Sequence, residues 1–378
     1  MKIVVAMDSF KGSLTARLAC EAVKKGLLSV LPAAEIIIRP MADGGEGTAK
    51  ALISAKDGRW VEKNVTGPLP NMTVKAGYAW FANYRSALVE MASASGLPLL
   101  TESQRNPLET TTYGTGELIK AAAQKNPEKI FLAVGGSATV DGGVGAAMAL
   151  GWRFLDKKGD AIALGGGNLS RIQKILPPPE LGLPVVEVLC DVQNPLCGPQ
   201  GAARVYGPQK GATPQMVGHL EKGLDHLCTL VGSSLGKDID IPGAGAAGGL
   251  AAGAVAFMNA KLVSGIDTII ECTDLAQQIA TSQWVITGEG RFDSQSLHGK
   301  VVKGVTKIAG QAGVPVGVLA GSVNLSSEEY QSLGIVDAIS AKKDEISLEY
   351  AIAHGDELLI EAAAEFAREN LITPRKDN

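Results

Sequence analysis

The sequence predicts an α/β fold with two α/β domains: a discontinuous doubly wound parallel-sheet domain, and an inserted domain with a mixed sheet. Two observations predict it. Short β-branched runs, apolar on both faces, recur at Ile3 to Ala6, Ile36 to Ile38, Ile130 to Val134, Val185 to Leu189 and Trp284 to Ile286, as buried parallel strands do. A segment bearing charged side chains, punctuated by glycine in four of the five cases, follows each run: Asp8-Ser-Phe-Lys-Gly-Ser13, Asp43-Gly-Gly-Glu-Gly47, Gly135-Gly-Ser-Ala-Thr-Val-Asp-Gly-Gly143, Asp191-Val-Gln-Asn-Pro195 and Gly288-Glu-Gly-Arg-Phe-Asp293. Ligands of such sheets bind beyond the carboxyl ends of the strands, so these segments are expected on a common rim.

Taken in order, Lys2 to Met7 reads as a strand, and Leu14, Leu18, Val23, Leu27 and Leu31 give the following helix an apolar stripe. Pro32 closes that helix before Ile36-Ile-Ile38. The last ninety or so residues repeat the alternation: strand Val285 to Thr287, helix Val301 to Ala312, strand Val314 to Ala320, short helix Ser326 to Leu333 and strand Ile335 to Ser340. A final helix runs from Ser347 to about Asn370, with Leu348, Ile352, Leu359, Ala363 and Phe366 on its apolar face. Between about Thr66 and Ala94 the pieces are short and alternating, Thr73 to Trp80 and Ala87 to Met91, which suits a mixed sheet. Neither end completes a sheet alone. Residues 1–70 plus 285–378 are therefore expected to form the doubly wound domain and 71–284 the insertion, with the active site in the cleft between them.

Composition narrows the function. A chain of 378 residues with 46% hydrophobic and 20% charged residues fits a globular protein with two sizeable cores. The formal net charge of −4 gives no reason to expect nucleic acid as a partner. Cys20, Cys190, Cys197, Cys228 and Cys272 are odd in number and share no CxxC spacing, which suits reduced thiols. With only His219, His226, His298 and His354 available, a zinc site is not expected. No basic leader with an apolar run stands at the start, and the uncharged stretch Ile241 to Ala260 is glycine- and alanine-rich, so neither export nor a membrane partner is expected and the location reads as cytoplasmic. A homo-oligomer stays open.

The motifs point to phosphate and a divalent cation. Lys11, between a strand and a helix start, is placed to reach a phosphate or a carboxylate; the plainer alternative is a solvated turn lysine. Asp43 and Glu46 pack two carboxylates into one glycine loop, which suits Mg²⁺; the alternative is a glycine turn before a helix. In Gly135 to Gly143 the backbone amides with Ser137 and Thr139 suit an anion cradle, with Asp141 able to touch the metal. Lys210, in Tyr206-Gly-Pro-Gln-Lys-Gly-Ala212, gains interest only in company. Glu289, Arg291, Asp293, His298 and Lys300 form the densest polar stretch. Gly243-Ala-Gly-Ala-Ala-Gly248 matches the dinucleotide fingerprint, and Asp267 stands at about the right distance, but Lys237 to Pro242 makes a poor buried strand. A closely packing Gly/Ala-rich helix is the better reading. No P-loop and no protein-kinase motif set is present.

These residues carry a resemblance. From Lys2 to about Ala367 the chain resembles the bacterial glycerate kinases that are unrelated to P-loop and protein kinases. The motifs are Asp8-Ser-Phe-Lys-Gly-Ser-Leu-Thr, Ala42-Asp-Gly-Gly-Glu-Gly-Thr, Val65-Thr-Gly-Pro68, Thr111-Thr-Tyr-Gly-Thr-Gly-Glu-Leu118, Gly135-Gly-Ser-Ala-Thr, Cys190-Asp-Val-Gln-Asn-Pro-Leu196, Gly207-Pro-Gln-Lys-Gly-Ala, Gly245-Ala-Ala-Gly-Gly, Thr287-Gly-Glu-Gly-Arg-Phe-Asp-Ser-Gln and His298-Gly-Lys300. Two departures stand out: Met7 where a proline is usual, and Val140 where an asparagine is usual.

The resemblance implies phosphorylation of D-glycerate by ATP with Mg²⁺, and 2-phosphoglycerate is favoured over 3-phosphoglycerate as the product. Lys11, Asp191 and Asp293 are then the catalytic candidates, with Asp191 or Asp293 as general base. Asp8, Ser9, Arg291 and Lys300 are assigned to the substrate, Lys11 and Arg291 meeting its carboxylate or the transferred group. Gly135, Gly136, Ser137, Thr139, Lys210 and Glu289 are assigned to nucleotide phosphates, and Asp43, Glu46 and Asp141 to the metal. An NAD-dependent hydroxy-acid dehydrogenase and a non-catalytic small-acid binding protein are the alternatives.

Overall fold

The computed structural model describes residues 1–42, 44, 47–294 and 301–372. The chain divides into two compact units, one of Met1–Asp43, Ser54–Lys56 and Ile266–Asn378, the other of Gly44–Ile53 and Asp57–Gly265.

The first unit is built on a five-stranded sheet in the spatial order Ile335–Ser340, Val316–Ala320, Trp284–Gly288, Lys2–Met7, Glu35–Ile38, every neighbouring pair parallel. The β-branched runs fill its interior. Ile3, Val5, Met7 and Ile286 pack with Ala19, Val23 and Leu27 of helix Ala16–Val30 and with Leu359, Ala363 and Phe366 of helix Gly355–Phe366. Alternate strand residues point the other way, where helix Val301–Gln311 lies against Trp284–Gly288 and Val316–Ala320. Helices therefore cover both faces, and the strand order reverses between Lys2–Met7 and Trp284–Gly288.

Two sequence expectations need correction here. In the first helix the buried stripe is made of Ala19, Cys20, Ala22, Val23, Gly26 and Leu27, while Leu18 is exposed. Small residues win because the C-terminal helix comes very close. A Cβ on Gly26 would lie 2.2 Å from the carbonyl oxygen of Ile360 and 2.7 Å from the Ala363 Cβ. The expected long last helix is two helices, Leu348–Ala353 and Gly355–Phe366, and Leu348 and Ile352 are exposed rather than on an apolar face. The break at Gly355 has a local cause. Ser13 donates from its hydroxyl to the Ile352 carbonyl at 2.7 Å, and a Cβ on Gly355 would stand 2.2 Å from that hydroxyl.

The second unit carries a six-stranded sheet in the order Lys261–Val263, Val185–Leu189, Lys129–Ala133, Ser86–Glu90, Thr73–Phe81, Arg59–Thr66. The first four run parallel and the last two are added antiparallel. The unit boundaries differ from those expected. Arg59–Thr66 pairs along its whole length with Thr73–Phe81, so residues 57–70 belong with the inserted sheet. Residues 266–284 belong with the first unit: Ile266 packs over Gly304, and Arg39 grips Asp274 through two hydrogen bonds of 2.5 and 2.7 Å. That guanidinium holds the Asp274 carboxyl down to about 2.

The fingerprint-like Gly243 to Gly248 follows no strand. Ala247, Gly248 and Gly249 all take left-handed conformations at the start of helix Ala246–Met258, and a Cβ on Gly248 would sit 1.9 Å from the Thr139 carbonyl oxygen. Gly248 and Gly249 serve close packing against Thr139, Val140 and Gly142, and Gly243 and Gly245 against Val192 and Pro195. Among the described residues no helix is long and apolar enough to cross a membrane.

Phe366 locks the first unit's sheet to its helices. It is fully buried, stands edge-on to Trp284 at 5.7 Å and lies over Gly317. Phe366→Ala is expected to cost about 3–5 kcal/mol, read as a lower urea midpoint for this unit.

Candidate functional site

In the first unit, the candidate residues collect where the strand order reverses. Met7 pairs with Gly288, and the Asp8 amide donates to the Gly288 carbonyl at 2.8 Å, so the chain leaves both strands side by side. Parallel sheets form their ligand crevices at such reversals. Asp8 accepts from the Ser9 amide at 2.6 Å, and reciprocal backbone bonds between Phe10 and Leu14 close the turn. Phe10 is buried beneath it, and Lys11 is exposed at its tip. Lys11 thus precedes the helix N-terminus, which Thr15 caps by accepting from the Leu18 amide.

The neighbouring segment is held by its glycines. A Cβ on Gly288 would meet the Leu319 carbonyl oxygen at 1.7 Å, and one on Gly290 would lie 3.6 Å from the Lys11 amide nitrogen. Glu289 is buried and its carbonyl accepts from the Gly321 amide. Arg291 and Phe292 pair in parallel with Ser322 and Val323, and Arg291 forms an ion pair with Asp293 at 3.0 Å while staying 69% exposed. The structure thus brings Asp8, Ser9, Lys11, Glu289, Arg291 and Asp293 to one rim of this unit. Lys300 and His298 lie outside the described residues.

In the second unit, the carboxyl ends of four parallel strands form the corresponding rim. Gly135 to Thr139 follow Lys129–Ala133. The loop is clamped by Leu97 donating to the Gly136 carbonyl at 2.8 Å and Ala138 donating to the Ser95 carbonyl at 3.0 Å. Gly136 takes a φ of 74° and is exposed. Ser137 and Thr139 are turned inward, and the Thr139 hydroxyl is buried without a hydrogen-bond partner among the described residues. The open part of the loop is the Gly135–Gly136 backbone, so an anion there meets peptide groups rather than hydroxyls.

Lys210 is buried rather than solvated. It is 2% exposed, and its ammonium nitrogen donates to Ser137 Oγ at 2.7 Å and to the Thr139 carbonyl at 2.8 Å. The Pro208–Lys210 turn brings it in, and Gly211 ends that turn with a φ of 90°. Burial pulls the Lys210 amine down to about 7, with the nearby Asp141 charge opposing.

Asp141 is 1% exposed and anchors its loop. Its carboxylate accepts from the Thr112 amide (2.8 Å), the Thr112 and Thr111 hydroxyls, and the Gly143 and Gly145 amides. Burial nevertheless pushes its pKa up. A carboxylate enclosed in this way is a structural anchor and offers no open face to a cation. Asp43 and Glu46 lie outside the described residues, and among the described residues no group of three or more acids, histidines or cysteines is placed to hold a metal.

Asp191 sits at the end of Val185–Leu189 and accepts from Ser264 Oγ at 3.1 Å and the Gly265 amide at 2.9 Å. Gly44, between the two acids of its loop, approaches the same strand end. A Cβ there would lie 3.1 Å from the Leu189 Cβ and 3.6 Å from the Gly265 Cα. Sequence reasoning missed Glu90, which receives the Ala49 amide at 2.7 Å in the first turn of helix Thr48–Lys56. The signal was an acid near the end of the predicted strand Ala87 to Met91. Sequence reasoning also gave no role to Thr112, although Thr111-Thr-Tyr-Gly-Thr-Gly-Glu-Leu118 carries part of the resemblance, and it missed Ser264, for which no local signal exists. The two departures are both core residues: Met7 and Val140 are fully buried among apolar neighbours, which hydrocarbon side chains satisfy without partners.

Comparison with known proteins fits this arrangement. The model of the glycerate kinase family matches residues 3–370. A glycerate kinase of Halalkalibacterium halodurans is 45% identical over 369 residues, covering 97% of each chain. A glycerate 2-kinase of Escherichia coli K12 is 44% identical over 327 residues, covering 85% of this chain and 86% of that one. A crystal structure of a candidate glycerate kinase 2 from Salmonella typhimurium LT2 superposes with a TM-score of 0.84 at 41% identity, covering 98% of both chains.

The buried lysine makes stability depend on pH in a defined direction. Its ordinary value is 10.5 and its folded value about 7, so between these limits the unfolded chain binds more protons and this group makes stability rise with pH. Below pH 7 both states are protonated and the penalty is full. Lys210→Met is expected to flatten the rise in urea midpoint between pH 7 and pH 9; equal slopes for variant and wild type would contradict this assignment.

Proposed function

The chain belongs to the glycerate kinase family, and from that premise we propose that it transfers the γ-phosphoryl group of ATP to the 2-hydroxyl of D-glycerate. The observation that carries this reading is the pairing of Met7 with Gly288 at the strand-order reversal, which sets the Lys11 turn against the Glu289–Asp293 segment. The name of the Escherichia coli relative supports the choice of the 2-position.

Phosphoryl transfer needs an aligned hydroxyl, neutralised phosphate charge and a proton acceptor. Lys11 and Arg291 are exposed cations suited to the glycerate carboxylate or the transferred group. Asp8 and Ser9, in the same turn, orient the acceptor. The Gly135–Gly136 backbone receives nucleotide phosphates, and Lys210 holds that loop from behind through Ser137 and Thr139. Asp191 or Asp293 takes the proton from the attacking hydroxyl. Mg²⁺, assigned to Asp43 and Glu46, would neutralise phosphate charge when bound; Asp141 is left out of that set because its oxygens are committed within the fold. The dehydrogenase alternative loses its motif, since the Gly243 to Gly248 glycines are used for packing.

Phosphorus NMR of a mixture of enzyme, ATP, Mg²⁺ and D-glycerate is expected to show 2-phosphoglycerate. A 3-phosphoglycerate resonance would move the reaction to the other hydroxyl, and no ATP consumption with any hydroxy acid would end the proposal. Asp191→Asn keeps an oxygen to accept from Ser264 and Gly265 but loses basicity. It and Lys11→Ala are each expected to lower turnover at least about a hundredfold with the melting profile retained.

A further inference from the structure

Cys197 and Cys228 stand 31 positions apart with their sulfurs 3.7 Å from each other. Neither is in a disulfide, and both are partly exposed. Cys197 lies in the loop that begins at Asp191, and Cys228 lies on helix Pro214–Leu235. The meeting is built into the fold. Asp240 accepts from the Leu196 and Cys197 amides at 2.8 and 3.1 Å, and Glu221, two turns before Cys228 on the same helix, accepts from the Gly198 amide at 2.6 Å. Two carboxylates thus hold the Cys197 backbone on both sides while its thiol faces the helix.

We propose that Cys197 and Cys228 form a reversible disulfide that ties the loop carrying Asp191 to helix Pro214–Leu235. Closing the bond needs the sulfurs to approach by roughly 1.7 Å. Gly198, with a φ of 86° and open space where a Cβ would stand, lies next to Cys197 on the moving side. With hydrogen peroxide as oxidant, the Cys228 thiolate attacks one peroxide oxygen and the O–O bond breaks. This gives a sulfenic acid and hydroxide, which takes up the proton released by the thiol. The Cys197 sulfur then attacks the Cys228 sulfur, loses its proton, and expels the sulfenic oxygen as a second water. Two thiols and one peroxide become one disulfide and two waters; each sulfur gives up one electron, and the peroxide gains two. The Cys197 thiol is pushed towards its protonated form by its contact with the Cys228 sulfur, by burial and by Asp225. The other thiols are placed differently. Cys20 is fully buried, and Cys190 donates to the Val192 and Gly243 carbonyls. In a glutathione-reduced compartment the pair rests as thiols and closes under oxidant.

The test reads the bond itself and does not depend on the kinase assignment. The full chain is treated with hydrogen peroxide, denatured, alkylated and analysed by intact mass and peptide mapping. The expected product has lost two hydrogens, has two of the five thiols protected from alkylation, shows a Cys197–Cys228 linked peptide and reverts with dithiothreitol. Oxidation is also expected to raise the melting midpoint of the wild type by about 5 °C and to leave that of Cys228→Ser unchanged. Bridging of any other pair, conversion of these thiols to sulfinic acids without a link, or no loss of thiols would overturn the proposal. A link formed without a rise in the midpoint would overturn the tether.

Discussion

The parallel pairing of Lys2–Met7 with Trp284–Gly288 is the contact on which the rest of the first unit depends. It completes the sheet, and it places the Asp8 turn beside Glu289. The partners are 281 positions apart along the chain (Ile3 against Trp284), and closing a flexible loop of that length would cost on the order of 5 kcal/mol in chain entropy, beyond a constant term. The inserted unit lowers that cost by folding with its own ends together. Gly44 and Gly265 begin and end it, and a Cβ on Gly44 would be 3.6 Å from the Gly265 Cα. Once the insertion has folded, the first unit's two pieces are joined by a short closure. Gly44 takes a φ of 81° there, a conformation that any other residue would adopt under strain.

Asp191 belongs to that same closure. Its carboxylate accepts from Ser264 and Gly265, while Gly44 packs against the carbonyl of Leu189 two residues earlier. A proposed general base is thereby fixed at the point where the inserted unit's ends meet. The amide and hydroxyl donors fix its direction, which is what preorganisation requires of a group that must receive a proton from a bound hydroxyl. Asp8 is placed by comparable means, through the Ser9 amide in a turn anchored by buried Phe10. In both cases backbone geometry at a strand end positions the acid.

Strands were legible in the sequence because parallel interiors need apolar residues on both faces, and few other structures impose that demand. The runs at Ile3, Ile130, Val185 and Trp284 all became central strands. Unit boundaries were less legible. Arg59–Thr66 is an edge strand with mostly exposed side chains, and its place is set by pairing with Thr73–Phe81, which no local pattern records. The first helix misled for another reason: its contact face is shaped by backbone proximity at Gly26, so alanines and Cys20 join Val23 and Leu27 there while Leu18 is exposed. Charged residues after strands mark the rims at the strands' carboxyl ends, but composition does not distinguish an acid left open from one enclosed by the fold. Asp141 and Asp191 both follow buried strands closely. Asp141 is enclosed by the Thr111–Thr112 segment, some thirty positions earlier, together with the Gly143 and Gly145 amides.

Lys210 and Asp141 show what the second unit gains from burying charge. Burial drives each towards its neutral form, and the Asp141 charge opposes that drive at Lys210. Such pairs add little net stability, because desolvation offsets much of their attraction. Their effect is on conformation. Lys210 binds Ser137 and Thr139, Asp141 binds Gly143 and Gly145, and the stretch between is fixed from two directions. A glycine loop left to itself populates many backbone states and would have to be ordered by its ligand. Here that ordering is done during folding by buried side chains behind the loop and by the Leu97 amide at Gly136, so the anion proposed for Gly135 and Gly136 would meet peptide groups already held in place.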